Sequence, residues 1–463
     1  MSSARPPPRP VSNSRTDRGP PASKEPTLSG PTRARAEWHR LDEVIIHRPG
    51  VEMFFGLLEP YSFLYERAFR IDEATYEHET LEHALRESGV TVRRLIHLAI
   101  ELGSRHPELV ERVRHEIHRI VRYTGPAAMV DAARAALRRN LDTFDGETLF
   151  NILLLRPSIR LARRPGVRVI LPKVELDTPL ANLYFMRDQQ GLSANGYVMG
   201  RMSKPQRRNE PLLTGALLRA WGARFAGEVR SPGTFEGGDF MPMGEFVLLG
   251  HGDRTNASGV RQILRMDLGV DTVAVVHQPT HPAIPGNDPD PMIDMHLDTY
   301  LNVPGEGLVV GCAPLLDRAR VDVYRRRAGG RIVRASAGRP LREFFAERKI
   351  EVVPISTLEQ MSYASNFLCL RDRKILAVEV EAEVDRVLNG LATAARRNPH
   401  RYGALLTLVR KERQELRQGR GFFPHIADIR DRSIEVVPLA LQEITGGYGG
   451  AHCMTCVTRR TSP

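Results

Sequence analysis

The chain has 463 residues, of which 41% are hydrophobic, and its formal net charge is +11 at pH 7. This length and apolar content predict a large buried core, in one domain with an insertion or in two domains. Only four cysteines occur, and no run approaches the ~20 apolar residues of a membrane span or resembles a secretory signal, so we expect a cytoplasmic protein, neither a disulfide scaffold nor a membrane protein.

The first segment, residues 1–36, is rich in proline, serine and glycine and holds seven basic side chains against two acidic ones. It has too few apolar residues to offset its ordering entropy by burial, so we predict a disordered tail over residues 1–36. The other basic residues are spread through mixed-sign segments typical of solvated helix faces. No basic strand interleaved with aromatic residues accompanies them, and we expect no nucleic-acid partner.

After the tail, a strand–helix–strand pattern recurs five times, which predicts an α/β repeat architecture rather than a single open sheet. The first strands of the five units are predicted at 44–46, 197–199, 246–249, 308–310 and 375–378. The second strands are predicted at 90–95, 228–229, 272–276, 331–333 and 434–437. Helices are predicted between them at 75–88, 211–221, 257–266, 317–327 and within 381–417.

One long stretch, residues 97–161, does not fit the repeat and is predicted to be helical throughout. It is interpreted as a helical insertion within a catalytic domain that spans residues 37–463. The candidate helices within it are 106–123, 126–141 and 146–155.

Two histidine pairs have spacings that are relevant to metal binding. His115 and His118 are three residues apart and share a helix face, whereas His78 and His83 are five apart and align less well. Neither pair has the His-Glu-x-x-His spacing of a zinc site, so we interpret all four as surface histidines.

Four short segments carry residues suited to chemistry. They are Asn-Leu-Tyr-Phe-Met-Arg-Asp (182–188), Glu-Gly-Gly-Asp (236–239), Met-His-Leu-Asp-Thr (295–299) and Gly-Gly-Tyr-Gly-Gly-Ala-His-Cys-Met (446–454). The last is too rich in glycine to pack a core, which indicates a backbone that something approaches closely at Cys453. A cysteine is a candidate nucleophile when other segments supply an acid–base group and charged partners.

Taken in this order, the four segments resemble those of arginine deiminase, a member of the guanidine-modifying pentein superfamily, and the resemblance runs from about Trp38 to Cys456. It implies a five-bladed α/β propeller of strand–helix–strand repeats, with the helical insertion between the first and second blades. It implies hydrolysis of the guanidinium group of L-arginine to L-citrulline and ammonia. The expected partner is a small guanidino substrate, with no metal or organic cofactor, and we expect a homo-oligomer.

The resemblance also implies roles for five residues. Cys453 would attack the guanidinium carbon as a thiolate, and His296 would act as general acid and base. Glu236 would hold the imidazole in its charged form. Asp188 and Asp298 would bind the planar guanidinium, because carboxylates match its donors.

For the rest of the substrate, Asn182, Arg207 and Arg254 match residues that bind it in the family. Family members place an arginine five residues before the nucleophile, whereas this chain has Tyr448. The interpretation therefore includes Tyr448 among the substrate-binding residues and questions how the substrate carboxylate is recognised.

Several alternatives remain open. The ending His452-Cys453-x-Thr455 also resembles the amidinotransferases of the same superfamily, and a deiminase could act on another guanidino compound. A non-catalytic guanidino-compound binder is a third possibility. The spacing of Cys453 and Cys456 occurs in redox and zinc sites, but Cys312 and Cys369 stand alone and glycines precede the pair, which favours a nucleophile.

Overall fold

A computed structural model describes residues 32–163, 170–286 and 288–462. Its helices are α1 (Val51–Leu58), α2 (Ile71–Glu87), α3 (Leu95–Arg105), α4 (Pro107–Ile120), α5 (Ala127–Asn140), α6 (Gly146–Leu155), α7 (Glu210–Ala220), α8 (Ala257–Arg265), α9 (Leu297–Tyr300), α10 (Ala313–Arg318), α11 (Leu341–Glu347), α12 (Thr357–Met361), α13 (Val380–Arg397), α14 (Pro399–Gln418) and α15 (Ala427–Arg430). Its strands are β1 (Arg40–Ile46), β2 (Thr91–Arg94), β3 (Arg122–Thr124), β4 (Pro157–Arg163), β5 (Ile170–Leu176), β6 (Gln190–Ser193), β7 (Gly196–Met199), β8 (Phe225–Glu228), β9 (Phe240–Pro242), β10 (Phe246–His251), β11 (Thr272–His277), β12 (Leu301–Gly305), β13 (Leu308–Cys312), β14 (Arg320–Arg326), β15 (Ile332–Pro340), β16 (Glu351–Ile355), β17 (Leu368–Arg371), β18 (Lys374–Val378), β19 (Glu435–Leu439) and β20 (Cys456–Thr461). Within these ranges, no helix has the length and apolar character needed to cross a membrane.

Five sheets share one arrangement, in which a central strand pairs antiparallel with one neighbour and parallel with the other. These triplets are β20-β1-β2, β6-β7-β8, β9-β10-β11, β12-β13-β16 and β17-β18-β19. A parallel pair needs a crossover connection, and helices supply it in every triplet. In the first sheet Val44 lies opposite Val457 and Ile45 opposite Cys456, so the segment before β20 is fixed to the N-terminal strand.

The predicted strand–helix–strand pattern is confirmed in the first, second, third and fifth units, and it is wrong in the fourth. The predicted helix 317–327 is mostly β14, and the predicted strand 331–333 lies in β15; both strands extend the third sheet. The parallel partner of β13 is β16, and α10 and α11 lie between them. Val321 and Val323 stand two residues apart in β14, and β-branched residues at that period favour a strand over the helix that was predicted.

The insertion contains four helices, α3 to α6, but it is not wholly helical. β3 and the first five residues of β4 lie within residues 97–161, and both strands belong with β5 to a separate three-stranded sheet, so the helical prediction is wrong at 122–124 and 157–161. In β4, Ile159 and Leu161 alternate with Ser158 and Arg160, a period-two pattern typical of a strand.

The tail prediction is wrong for its last five residues. Residues 1–31 lie outside the described ranges, but Ala34 and Ala36 are buried. The backbone N–H of Ala34 donates to the carbonyl of Ser193 at 3.0 Å, and that of Arg460 donates to the carbonyl of Arg33 at 2.9 Å. Small side chains and paired backbone groups therefore hold residues 33–36 on the domain that was predicted to begin at residue 37.

One of the four histidines interpreted as surface residues is buried. His78 lies on the inner face of α2, and neither of its ring nitrogens has a hydrogen-bond partner among the described residues. Burial lowers the pKa of His78 to about 3, so the ring is neutral. In the described ranges no group of three or more His, Cys, Asp or Glu side chains is arranged to hold a metal ion.

Candidate active site

Each of the five similar sheets contributes a polar residue to the site. In each sheet this residue precedes the strand that pairs antiparallel with the central strand. Asp188 precedes β6, Glu236 precedes β9, His296 precedes β12 through the short α9, Asn366 precedes β17 and Cys453 precedes β20. Their side chains meet around a cavity of about 130 Å³.

All nine residues predicted for the site lie together. Seven of them line the cavity: Asn182, Asp188, Arg207, Arg254, His296, Tyr448 and Cys453. The other two lie directly against lining side chains. Glu236 Oε2 is 3.0 Å from His296 Nε2, and Asp298 Oδ2 is 3.5 Å from Cys453 Sγ.

Two glycines allow this close assembly. A Cβ atom at Gly238 would lie 2.7 Å from His296 Nδ1 and 2.9 Å from Asp298 Oδ1. One at Gly449 would lie 2.9 Å from the Cβ of Cys453. Real Cβ atoms do not approach so closely, so the glycines keep the backbone thin where the polar side chains converge.

Cys453 is buried at the base of the cavity as a thiol. Its Sγ is 3.1 Å from Asn366 Nδ2 and donates to Asp298 Oδ2. Burial, followed by the carboxylates of Asp298 and Asp188, raises the pKa of the Cys453 thiol well above its ordinary value. A cation that enters the cavity would offset these negative charges and favour the thiolate.

His296 is held as an imidazolium. Burial opposes its charge, but the hydrogen bond with Glu236 and the charges of Asp188 and Asp239 outweigh burial and raise the pKa of His296 to about 9. Glu236 also accepts from the backbone N–H of Ser203 at 2.9 Å. The imidazole is therefore oriented and protonated at neutral pH.

Asp188 and Asp298 each present one carboxylate oxygen without a hydrogen-bond partner among the described residues. The Oδ1 atoms of both are buried and have no hydrogen bond among the described residues, and each lies 3.9 Å from His296 Nδ1. Burial raises the pKa of Asp298 to about 7, against the opposing charge of His296. Buried acceptors of this kind normally have partners, so this pair indicates a site for a cationic donor.

Three of the four remaining predicted residues bind other groups of the protein, and the fourth lines the cavity. Arg207 binds Asp188 at 2.5 Å and Glu210 at 2.8 Å. Arg254 donates to Glu236 at 3.3 Å. Asn182 Nδ2 donates to the carbonyl of residue 63 at 2.6 Å. Tyr448 lines the cavity from a left-handed backbone conformation with φ 73°.

Sequence reasoning assigned no site role to two residues that touch the reactive cluster. Asn366 contacts Cys453, and His452 Nδ1 lies 2.8 Å from Asp298 Oδ2. Burial holds the pKa of His452 well below its ordinary value, so the ring is neutral. Asn366 lies far from the four motifs in sequence, and only its position before the first strand of the fifth repeat was available as a signal.

The cysteine pair does not have the features of a redox or zinc site. All four cysteines are free and buried. Cys456 lies in β20, where its Sγ is 3.6 Å from the Tyr197 hydroxyl, and burial raises its pKa to about 11. Cys453 alone faces the cavity.

Two named relatives align with nearly the whole chain. Arginine deiminase of Halobacterium salinarum is 26% identical over 92% of this chain and 96% of its own length. Arginine deiminase 1 of Staphylococcus epidermidis is 23% identical over 92% and 98%.

Solved structures include two similar proteins, both with TM-scores below 0.5. Dimethylarginine dimethylaminohydrolase from Pseudomonas aeruginosa, complexed with citrulline, has a TM-score of 0.46 at 13% identity and covers 90% of this chain and 98% of its own. An amidinotransferase from Microseira wollei has a TM-score of 0.49 at 13% identity and covers 94% of this chain and 98% of its own.

The family model for arginine deiminase matches residues 61–460, most of this sequence. The chain therefore belongs to the arginine deiminase family.

Proposed function

We propose that this chain hydrolyses the guanidinium group of L-arginine to L-citrulline and ammonia through a covalent intermediate on Cys453. The observation that carries the proposal is a pair of buried oxygens beside the Cys453 thiol, Asp188 Oδ1 and Asp298 Oδ1, which accept no hydrogen bond from the described residues. A guanidinium supplies planar N–H donors for both carboxylates and a positive charge that favours the thiolate. Its carbon is then placed next to sulfur.

The first half of the reaction forms a carbon–sulfur bond and releases ammonia. The thiol proton passes to Asp298 Oδ2, its hydrogen-bond acceptor at 3.5 Å, and the thiolate attacks the guanidinium carbon. His296 gives its proton to a departing nitrogen, and ammonia leaves. The enzyme then holds a cationic amidino-thioether, and His296 is neutral.

The second half hydrolyses that intermediate. Neutral His296 takes a proton from water, and the hydroxide adds to the same carbon. The added hydroxyl then loses its proton to solvent, where the released ammonia takes it up. The carbon–sulfur bond breaks, the thiolate recovers its proton from Asp298, and the neutral ureido product remains. Protons and electrons balance over the cycle, with Glu236 keeping the imidazole in place throughout.

The proposal includes a five-bladed α/β propeller. Two observations support it: the five sheets supply site residues from equivalent positions, and β20 pairs with β1 at the two ends of the described chain. We also propose a homo-oligomer and a cytoplasmic location, both of which rest on sequence reasoning.

The deciding experiment supplies the full chain with L-arginine alone and quantifies ammonia, citrulline and ornithine. Equal amounts of ammonia and citrulline would support hydrolysis, with Cys453→Ser as the inactive control. Ornithine that forms only after an acceptor amine such as glycine is added would identify an amidinotransferase instead. Tight arginine binding with no product would identify a non-catalytic binder.

A further inference from the structure

The cavity lining divides into a polar part and an apolar part. The apolar part includes Leu64, Phe185, Pro291, Met295 and Tyr448. The exposed Tyr61 also lines the cavity and therefore lies at its solvent edge. A ligand whose guanidinium reaches Asp188 and Asp298 would have these aromatic and aliphatic side chains, together with Asn182, Thr299 and two arginines, to contact the rest of it.

The first of those arginines is already held by two carboxylates of the protein. All three nitrogens of Arg207 are used: Nε and Nη2 bind the Glu210 carboxylate at 2.8 to 3.1 Å, and Nη1 binds Asp188 at 2.5 Å. Nη2 also approaches the carbonyls of Asn182 and Phe185 at 3.4 Å. Arg207 is itself buried, so releasing it would leave Glu210 as an unpaired buried charge.

The second arginine also faces two carboxylates. Arg254 is buried and binds Glu236 and Asp253, each at 3.3 Å. Glu236 is at the same time the partner of His296. A substrate carboxylate placed at either arginine would be the third carboxylate around one guanidinium, and like charges at such distances repel.

From this geometry we propose that the cavity does not select for a free carboxylate, and that its best substrates are alkylguanidines whose far end carries no negative charge. This inference rests on the proposed hydrolase function. L-Arginine is accepted for its guanidinium and alkyl chain, and its carboxylate adds nothing to recognition. Tyr448 offers that end of the substrate an aromatic face and one neutral hydroxyl.

The test compares kcat/KM for L-arginine, L-argininamide and agmatine in the natural full chain, with ammonia release as the readout. We expect argininamide and agmatine to be used at least as well as arginine. The inference is overturned if arginine is preferred to both by more than tenfold. That outcome leaves the hydrolase function intact, because ammonia is still released.

A charge placed at residue 448 gives a second, independent readout. In Tyr448→Arg the ratio of kcat/KM for arginine to that for argininamide should rise by roughly 10 to 100-fold, the worth of a charge-assisted hydrogen bond. Tyr448→Gln is the matched control, since it adds a long polar side chain without charge, and its ratio should change much less. Equal changes in the two variants would contradict the inference.

Binding to Cys453→Ser separates this inference from the hydrolase function. Calorimetric titration of that variant with the same three compounds needs no turnover. If agmatine and argininamide bind at least as tightly as arginine, the proposed selectivity is supported. This holds even if the natural chain releases no ammonia, because that result would refute only the hydrolase function. Tighter binding of arginine by more than tenfold would refute the selectivity.

Discussion

The side-chain amide of Asn366 lies against the Cys453 thiol, with Nδ2 3.1 Å from Sγ. Its Oδ1 accepts hydrogen bonds from the backbone N–H groups of Gly450 at 2.8 Å and Cys453 at 3.1 Å. One asparagine therefore fixes the turn that carries the proposed nucleophile and offers its sulfur a donor. A thiolate gains more from that donor than a thiol does.

Replacing this donor should weaken thiolate formation. Asn366→Asp keeps an acceptor for the two backbone N–H groups but removes the Nδ2 donor and adds a negative charge. We expect slower alkylation of Cys453 by iodoacetamide and a kcat/KM lower by roughly 10 to 100-fold, the worth of a hydrogen bond to a charged group.

A substitution that should change the alkylation rate of Cys453 in the opposite direction serves as the comparison. Asp298→Asn removes a carboxylate that raises the pKa of Cys453, so alkylation of Cys453 should become faster although turnover is lost. Cys456 is an internal reference, because neither carboxylate contributes to its raised pKa. Parallel changes at both cysteines would indicate general loosening and would contradict the assigned role of Asn366.

The two cysteines of the last segment should respond differently to substitution. Cys453→Ser removes the sulfur that forms the covalent intermediate and should abolish nearly all turnover. Cys456→Ser changes a side chain buried in β20 and should keep most of it. Ammonia release from both variants, at matched thermal stability, is the measurement; an inactive Cys456→Ser with an active Cys453→Ser would overturn the assignment.

Truncation at the N-terminus should have a sharp boundary. Deletion of residues 1–31 removes none of the described contacts and should leave the melting temperature and activity unchanged. Deletion of 1–36 also removes the backbone hydrogen bonds at Arg33, Ala34 and Arg35 and the buried side chains of Ala34 and Ala36.

The longer deletion should lower the free energy of unfolding by about 2–5 kcal/mol, since each lost hydrogen bond contributes about 1 kcal/mol and each buried methyl about 0.8 kcal/mol. Chemical denaturation of the two truncated chains measures the difference. Equal stability of both would mean that residues 32–36 contribute little to folding.

The sequence predicted those parts of the fold that repeat. Apolar strands and helical spacing were sufficient for four of the five units, and the motif segments around Asp188, Glu236, His296 and Cys453 meet as expected. The prediction of the fourth unit failed because β14 pairs with β11 of the preceding sheet and β15 pairs with β14. Such long-range pairing is not visible in a local pattern.

The contacts of the arginines and of Asn366 could not be predicted in the same way. Arg207 lies three residues before Glu210, a spacing equally typical of an exposed helix pair, and only its burial makes the pair a fixed part of the cavity wall. Asn366 and Cys453 are 87 residues apart, with α13, α14 and α15 between them. The sequence motifs therefore gave no basis for predicting a contact between these two residues.

The pH dependence of kcat/KM should be bell-shaped. Asp298, with its pKa raised to about 7, must be ionised to take the thiol proton, so activity falls as pH drops below about 7. His296, with its pKa raised to about 9, must be protonated to release ammonia, so activity falls as pH rises above about 9.

In Glu236→Gln the hydrogen bond that raises the pKa of His296 loses its charge, and the alkaline limb of the pH profile should move to lower pH. The acid limb should move less, because burial is the largest cause of the raised pKa of Asp298. Initial rates of ammonia release at subsaturating arginine measure both limbs, and an acid limb that moves while the alkaline limb stays would exclude His296 as the proton donor.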